Sequence, residues 1–376
     1  MANSHLRVSR SLAIGLVSAV ATFAVLACSS PAPAPTPTAA SKPAAAPAQP
    51  TTAPAQPTAA AAAATKPAAQ PTTAAAPKSD FPNKPITYVV PWPAGGAMDL
   101  GARLLAASLE TVLGQQVQVV NKAGATGQSG LTDFVKSAKP DGYTLVAINS
   151  PSLEPTYLDP ERQAIYKRTS FAPVAGQVID PNVYFVKTDS PYKTMADLVK
   201  AAKDKPEGIA TSDTGLMSDD HISVLLFQQK TGIKLAMSHF EGSAPAQAAV
   251  LGGHVAMMIG NIGDAMSHYK SGNARVLGIA AAERHPMLPD VPTLKEQGID
   301  LQTAVIRGTC AQAGTPVEII KQLEAAHKKV DEMPAYREKM SNSGLPYRFM
   351  GTDEYDKFLQ SEEKRIGELM PLLKQQ

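Results

Sequence analysis

The sequence predicts an α/β protein built as two lobes, and three observations carry this. From Lys84 onward, short runs of β-branched and aromatic residues alternate with stretches whose apolar residues recur every three to four positions. The first of these runs follow a β-α-β-α-β order, which calls for a parallel sheet with right-handed crossovers. The stretch from there to the C-terminus, roughly 300 residues, is too long for one ordinary core.

The first strand is 86–90, β-branched and aromatic, and Pro91 ends it. Leu100, Leu104, Leu105, Leu109 and Val112 recur at helical spacing, and Gly114 is a natural stop. Residues 117–120 form the next strand, and the Gly-rich stretch 123–130 leads into a helix over 131–138. The turn Lys139-Pro140-Asp141-Gly142 then delivers strand 143–148. An irregular segment covers 150–173 before strands 174–178 and 183–186 and a helix over 194–203. Three strand–helix units follow: 209–212 with 221–229, 234–237 with 245–251, and 255–259 with 264–269. Strand 275–280 and a long strand 305–312 come next, and helices over 316–331, 335–341 and 355–373 close the chain. The uneven spacing disfavours a single barrel.

Charge divides unevenly along the chain. Of 35 Lys+Arg, five (Arg7, Arg10, Lys42, Lys66 and Lys78) precede Asp80, the first acidic residue. That leaves 30 against all 33 Asp+Glu, so the body carries −3 although the whole chain carries +2. A slightly anionic body without a cation cluster excludes a nucleic-acid binder.

Residues 1–27 read as a signal peptide: Arg7 and Arg10 precede an apolar run at 12–26 that is too short to span a bilayer comfortably. Val25-Leu26-Ala27-Cys28 resembles a bacterial lipobox, which implies that Cys28 is lipidated and that the body is extracytoplasmic and held to the cell membrane. An incidental Cys in an ordinary signal peptide or membrane anchor is the alternative. Residues 28–79 are an Ala/Pro/Thr linker without the apolar side chains needed for a core, extended at ~3.1 Å per residue where it is polyproline-like. Cys310 then has no disulfide partner and reads as a buried structural thiol.

The landmarks of the body recur in the order of a known family. Pro91-Trp92-Pro93-Ala94-Gly95-Gly96-Ala97-Met98-Asp99 resembles the loop after the first strand in the Bug solute receptors, the extracytoplasmic components of tripartite tricarboxylate transporters. Asn121-Lys122-Ala123-Gly124, Pro140-Asp141-Gly142-Tyr143, Glu241-Gly242-Ser243-Ala244-Pro245, Gly252-Gly253-His254-Val255, Pro289-Asp290-Val291-Pro292 and Gly314-Thr315-Pro316 follow in register. The resemblance covers 82–376. It implies a type II periplasmic-binding-protein fold, α/β with two lobes and two hinge crossings: lobe one at 82–185 with 305–376, lobe two at 186–304. It also implies a monomer that captures a small carboxylate and hands it to membrane transporter subunits, or to a sensor kinase as a ligand-presenting co-receptor. Neither a cofactor nor a metal is expected.

A Gly-Gly turn leading from a strand into a helix lets backbone N–H groups approach an anion at the positive end of the helix dipole. Gly95, Gly96, Ala97 and Met98 are therefore expected to clasp a carboxylate. Asp99 would cap the helix or fix a water, with Arg103 balancing its charge. From the other lobe, Gly215, Leu216, Met217 and Ser218 match a Ser-rich family loop, with His221 ordering that loop or packing its helix. Strand ends add Asn149, Ser150 and Ser152, and Gly260 with Asn261. Arg307, on the second hinge strand, would bind a carboxylate or else form a salt bridge. Met98, Met217, Phe240 and Ala256 depart from the family towards less polar residues, consistent with a ligand carrying an apolar or aromatic portion.

An enzyme is the rival class. The sequence contains no G-x-S-x-G, H-E-x-x-H, Walker A or G-x-G-x-x-G, and its histidines are too dispersed for a zinc signature.

Overall fold

The computed structural model describes residues 80–374; the predicted signal peptide, Cys28 and the linker lie outside them. In chain order the elements are β1 (Ile86–Val90), α1 (Ala97–Leu113), β2 (Val117–Asn121), α2 (Gln128–Ser137), β3 (Thr144–Ser150), α3 (Glu154–Leu158) and β4 (Phe171–Lys187). There follow α4 (Met195–Asp204), β5 (Ala210–Asp213), α5 (Asp219–Thr231), β6 (Ala236–His239), α6 (Ser243–Leu251), β7 (Met257–Asn261), α7 (Ile262–Lys270) and β8 (Ala274–Ile279). The chain closes with β9 (Ala304–Gln312), α8 (Val317–Asp331), α9 (Pro334–Asn342), β10 (Tyr347–Met350) and α10 (Thr352–Leu373).

Each half of the sheet is built on a parallel trio, as the strand–helix alternation predicts. β1 lies between β2 and β3, and β5 lies between β6 and β7. The halves are joined by β4, which changes partners along its length. Residues 171–181 of β4 pair antiparallel with β9, whereas residues from Asn182 onward pair with β7 and β8. The sequence reads two strands here, 174–178 and 183–186; the structure has one strand of 17 residues. Pro181, having no N–H to donate, sits where the partners change. The chain crosses back beside this point: the Asn182 amide donates to the Thr303 carbonyl at 2.9 Å, immediately before β9. Two crossings therefore run side by side, at 181–182 and 303–304. The expected irregular stretch 150–173 holds the short α3, and β10, a four-residue edge strand on β4, is an element that the sequence reading did not contain.

Each half has its own apolar layers. In the first, Tyr88, Leu105, Leu109, Leu323 and Val330 pack on one side of the strands. Phe134, Ile148, Phe171 and Tyr355 fill the other, with the Cys310 thiol buried among them. In the second half, Leu198, Phe227 and Tyr184 oppose Val250, Ile262 and Phe185. Burying side chains of this kind contributes about 1.5–3 kcal/mol each. Helix α10 links the halves a third time: Ile366, Met370 and Leu373 at its C-terminal end pack on Met217, Ile222 and Leu225.

One buried histidine gives the fold a pH dependence. His327 bridges the Leu323 carbonyl (2.7 Å) and the Thr309 hydroxyl (3.2 Å), and burial pushes its pKa from 6.5 down to about 4. Between those values the unfolded chain binds a proton that the folded one refuses. The His327 contribution is thus complete above pH 6.5 and is lost as pH falls towards 4. Melting curves of His327→Gln are expected to lie lower overall but to depend less on pH across this window; an unchanged slope would show that His327 is not the group responsible.

Candidate functional site

The loop between β1 and α1 is shaped by its own side chains. Gly95 adopts φ +91°, and this turn brings its amide onto Asp99 Oδ2 at 3.0 Å. Arg103 Nε donates to the same oxygen at 3.0 Å, and Asn121 Nδ2 reaches Oδ1 at 2.9 Å. Burial alone would raise the Asp99 pKa, but these bonds outweigh it and hold the carboxyl below its ordinary value. Asp99 therefore braces the loop, and the Gly95 amide is already committed. The next amides, on Ala97 and Met98, belong to the first turn of α1, where a helix has no internal acceptors for its N–H groups.

A second helix start faces the first. Gly242, at φ +101°, precedes α6. A Cβ on Gly242 would meet Pro93 at 3.0 Å, and one on Gly96 would meet Ser243 Cβ and Oγ at 3.4 Å. The two halves thus approach each other glycine to side chain, with the N-termini of α1 and α6 converging.

Between them lies Arg307 of β9, whose side chain is almost fully buried. Its Nη1 donates to Asp180 at 2.8 Å and its Nη2 to Asn261 Oδ1 at 2.9 Å, and Nε has no partner among the described residues. Asp180 also accepts from the Ile262 and Gly263 amides at 2.9 and 3.2 Å, so it occupies the N-terminus of α7. Burial pushes Asp180 up to about 6 against the pull of Arg307. Asn261 and Asn182 both donate to Asp219, which also accepts from Ser152. Burial, with Asp219 beside it, drives Asp220 well above the ordinary carboxyl range, and burial raises Asp264 as well.

Arg307, Asn261 and Asp219 of this network line a cavity of about 20 Å³ between the halves, room for a water or so. Of the residues expected from sequence, Gly96, Met98, Asn149, Asn261 and Arg307 line it. Gly95, Ala97 and Asp99 support the first loop without lining the cavity. Ser150 donates to the buried Glu154 at 2.7 Å, and Ser152 is engaged with Asp219. The Ser218 hydroxyl is occupied in capping α5, where it accepts from His221 N–H. His221 Nδ1 accepts from the Met217 amide at 2.8 Å, ordering that loop from a fully buried position. Gly260 lies within β7 against Asp264. Of the four apolar departures only Met98 lines this cavity; Met217 joins the α10 contact, Phe240 lines a separate open recess and Ala256 packs against a core.

The cavity also takes in residues not expected as ligands: Trp92, Pro93, Thr214, Asp219 and Gly242-Ser243-Ala244. The last three repeat the Gly-before-helix signal of the first loop and were readable on that ground. Asp219, in the first turn of a helix, reads in sequence as an ordinary acidic start.

Outside the cavity, Gly215, Leu216 and Met217 line the open recess at the seam with Thr126 and Arg162. Here the Leu216 carbonyl accepts from Thr126 Oγ1 at 3.0 Å and from Arg162 Nη2 at 2.9 Å, both from the opposite half. Gly215 permits this approach, since a Cβ there would lie 2.8 Å from Thr126 Oγ1. Arg162→Ala is expected to weaken ligand affinity about fivefold, or about 1 kcal/mol, mainly through faster release. Equal dissociation rates in stopped-flow measurements would deny the seam any part in closure.

The comparisons fit this architecture. A family model described as "Tripartite tricarboxylate transporter family receptor" matches residues 101–374. Protein BugT of Bordetella pertussis is 32% identical over 287 residues, which cover 76% of this chain and 88% of that one. Among solved structures, R. palustris Rpa4515 with adipate superposes with a TM-score of 0.73 at 27% identity, covering 78% of this chain and 98% of that one. MatC from Rhodopseudomonas palustris with bound malate gives 0.71 at 26% identity, covering 78% and 100%. The chain belongs to the Bug-type receptors of the tripartite tricarboxylate transporter family: a solute-binding protein of the periplasmic-binding-protein fold, extracytoplasmic and not an enzyme.

Proposed function

We propose that this receptor captures a small carboxylate between two lobes and delivers it to a tripartite tricarboxylate-type membrane transporter. One observation carries the reading: two helix N-termini, from opposite halves, converge with the buried Arg307 on one cavity. Amide donors and a guanidinium are what a carboxylate requires. Malate in MatC and adipate in Rpa4515 are carboxylates held by proteins of this fold. The ligand would be held by the amides of Met98 and of Ser243 and Ala244, with Asn149, Asn261 and Arg307 fixing its orientation.

In this reading lobe one is 82–185 with 305–376 and lobe two is 186–304, and they turn about the paired crossings near Asn182 and Thr303. The cavity is too small for a dicarboxylate to enter as it stands, so capture requires opening and reclosure. Cys28 would carry the lipid, and the linker would let a monomeric receptor range from the membrane. Among the described residues no helix is long and apolar enough to cross a membrane.

A thermal-shift screen over di- and tricarboxylates, aromatic carboxylates and amino acids tests this reading. A ligand of the closed form is expected to raise the melting temperature increasingly with concentration. A flat response to every carboxylate would reject it.

A further inference from the structure

Met98 stands between two cavities. On one side is the space between the halves; on the other is a chamber of about 10 Å³ inside the first half, and both Met98 and Arg307 line each of them. Strand residues Tyr88, Ala147 and Val178 face the chamber, with Tyr336 and Leu345 closing it from the region of α9. Small residues on α1 keep it open. A Cβ placed on Gly101 would touch only Leu345 Cδ1, at 3.5 Å. Two of the polar groups here are already engaged: the Tyr88 hydroxyl lies 2.8 Å from Thr309 Oγ1, and Gln177 Nε2 donates to that Thr309 oxygen at 2.7 Å. Away from Arg307 the wall is largely apolar, with Ala97, Ala102, Ala147, Val178, Met340 and Leu345, and suits hydrocarbon rather than a second charge.

The junction is where polarity changes. Arg307, whose Nε has no partner among the described residues, shares both linings with Met98, a side chain long and pliable enough to swing aside. We propose that the two cavities form one ligand space: an unbranched aliphatic carboxylate places its head group at Arg307 and the cleft amides, its chain runs past Met98 into the chamber, and Met98 sets the chain length accepted. This rests on the carboxylate reading and narrows it. The chamber admits a thin chain and no ring, because its free volume holds about one methyl group until Met98 moves.

The test is calorimetric affinity for straight-chain monocarboxylates from acetate to octanoate, measured on the wild-type chain, Met98→Ala and Gly101→Leu. Met98→Ala removes the γ, δ and ε atoms. It is expected to shift the preferred acid to one longer by about three carbons, each added methylene tightening binding about fourfold. Gly101→Leu fills the chamber from one turn further along α1, towards Leu345, and is expected to shift preference towards shorter acids. If acids bind but Met98→Ala keeps the wild-type length preference, the inference is overturned while the carboxylate reading stands. If no acid of any length binds the wild type, and no di- or tricarboxylate does either, the receptor reading itself fails and takes this one with it.

Discussion

Arg307→Met is expected to abolish carboxylate binding and to lower stability by about 3–5 kcal/mol, because it strands the buried carboxylate of Asp180. The stability loss should depend on pH with a definite sign. Burial already holds Asp180 up at about 6 with Arg307 opposing it, so removing the guanidinium raises that pKa further. A carboxyl raised in the folded state keeps a proton that the unfolded chain releases, and its stabilisation is lost as pH rises through the folded value. Arg307→Met is therefore expected to lose more stability at pH 8 than at pH 5. Asp180→Asn added to it should restore most of the stability at pH 8 without restoring binding, since the missing donor is still missing. Denaturant melts of the three proteins at both pH values check this; a double variant no more stable than the single one would mean that the ion pair is not what Arg307 contributes.

Gly96→Val is expected to cut affinity more than about a hundredfold while moving the melting temperature little. Gly96 adopts φ −85°, which any residue tolerates, so a side chain there carries no backbone strain. Its Cβ, however, already lies 3.4 Å from Ser243 across the cleft. The two γ carbons of valine would enter the space that α6 occupies on closure. Gly95→Val should behave differently: a Cβ there meets nothing within 4 Å, but φ +91° is strained for valine. Its cost falls on the loop that Asp99 braces, and so on stability first. Paired calorimetry and melting of the two variants separates these effects, and equal loss of affinity from both would remove the distinction.

Much of this architecture was legible from local pattern, because parallel βα units leave a strong period in the sequence. The joined strand β4 was not: a proline inside a strand argues against continuation, and only the change of partners across Pro181 lets the strand run on. The site was half legible. A Gly-Gly before a helix marks a close approach, but spacing alone does not tell which amide points outwards. In the fold Gly95 turns its amide inwards to Asp99, leaving the following ones free. The hydroxyls of Ser150 and Ser218 suit a polar ligand by type, yet they serve Glu154 and the start of α5. The second loop was expected at 215–218, which lines the recess at the seam, whereas 242–244 lines the cavity. Both have the same glycine-before-helix form, and only the packing of the halves distinguishes the cleft from its seam.

Capture by closure makes a distance across the cleft depend on ligand. Fluorophores at the exposed positions Lys139, in the first half, and Lys295, in the second, report it by energy transfer in the purified protein. Adding a carboxylate that binds is predicted to narrow the distance distribution towards its short end, with a midpoint equal to the calorimetric dissociation constant. Saturating binding with an unchanged distance distribution would mean that the ligand is held without closure.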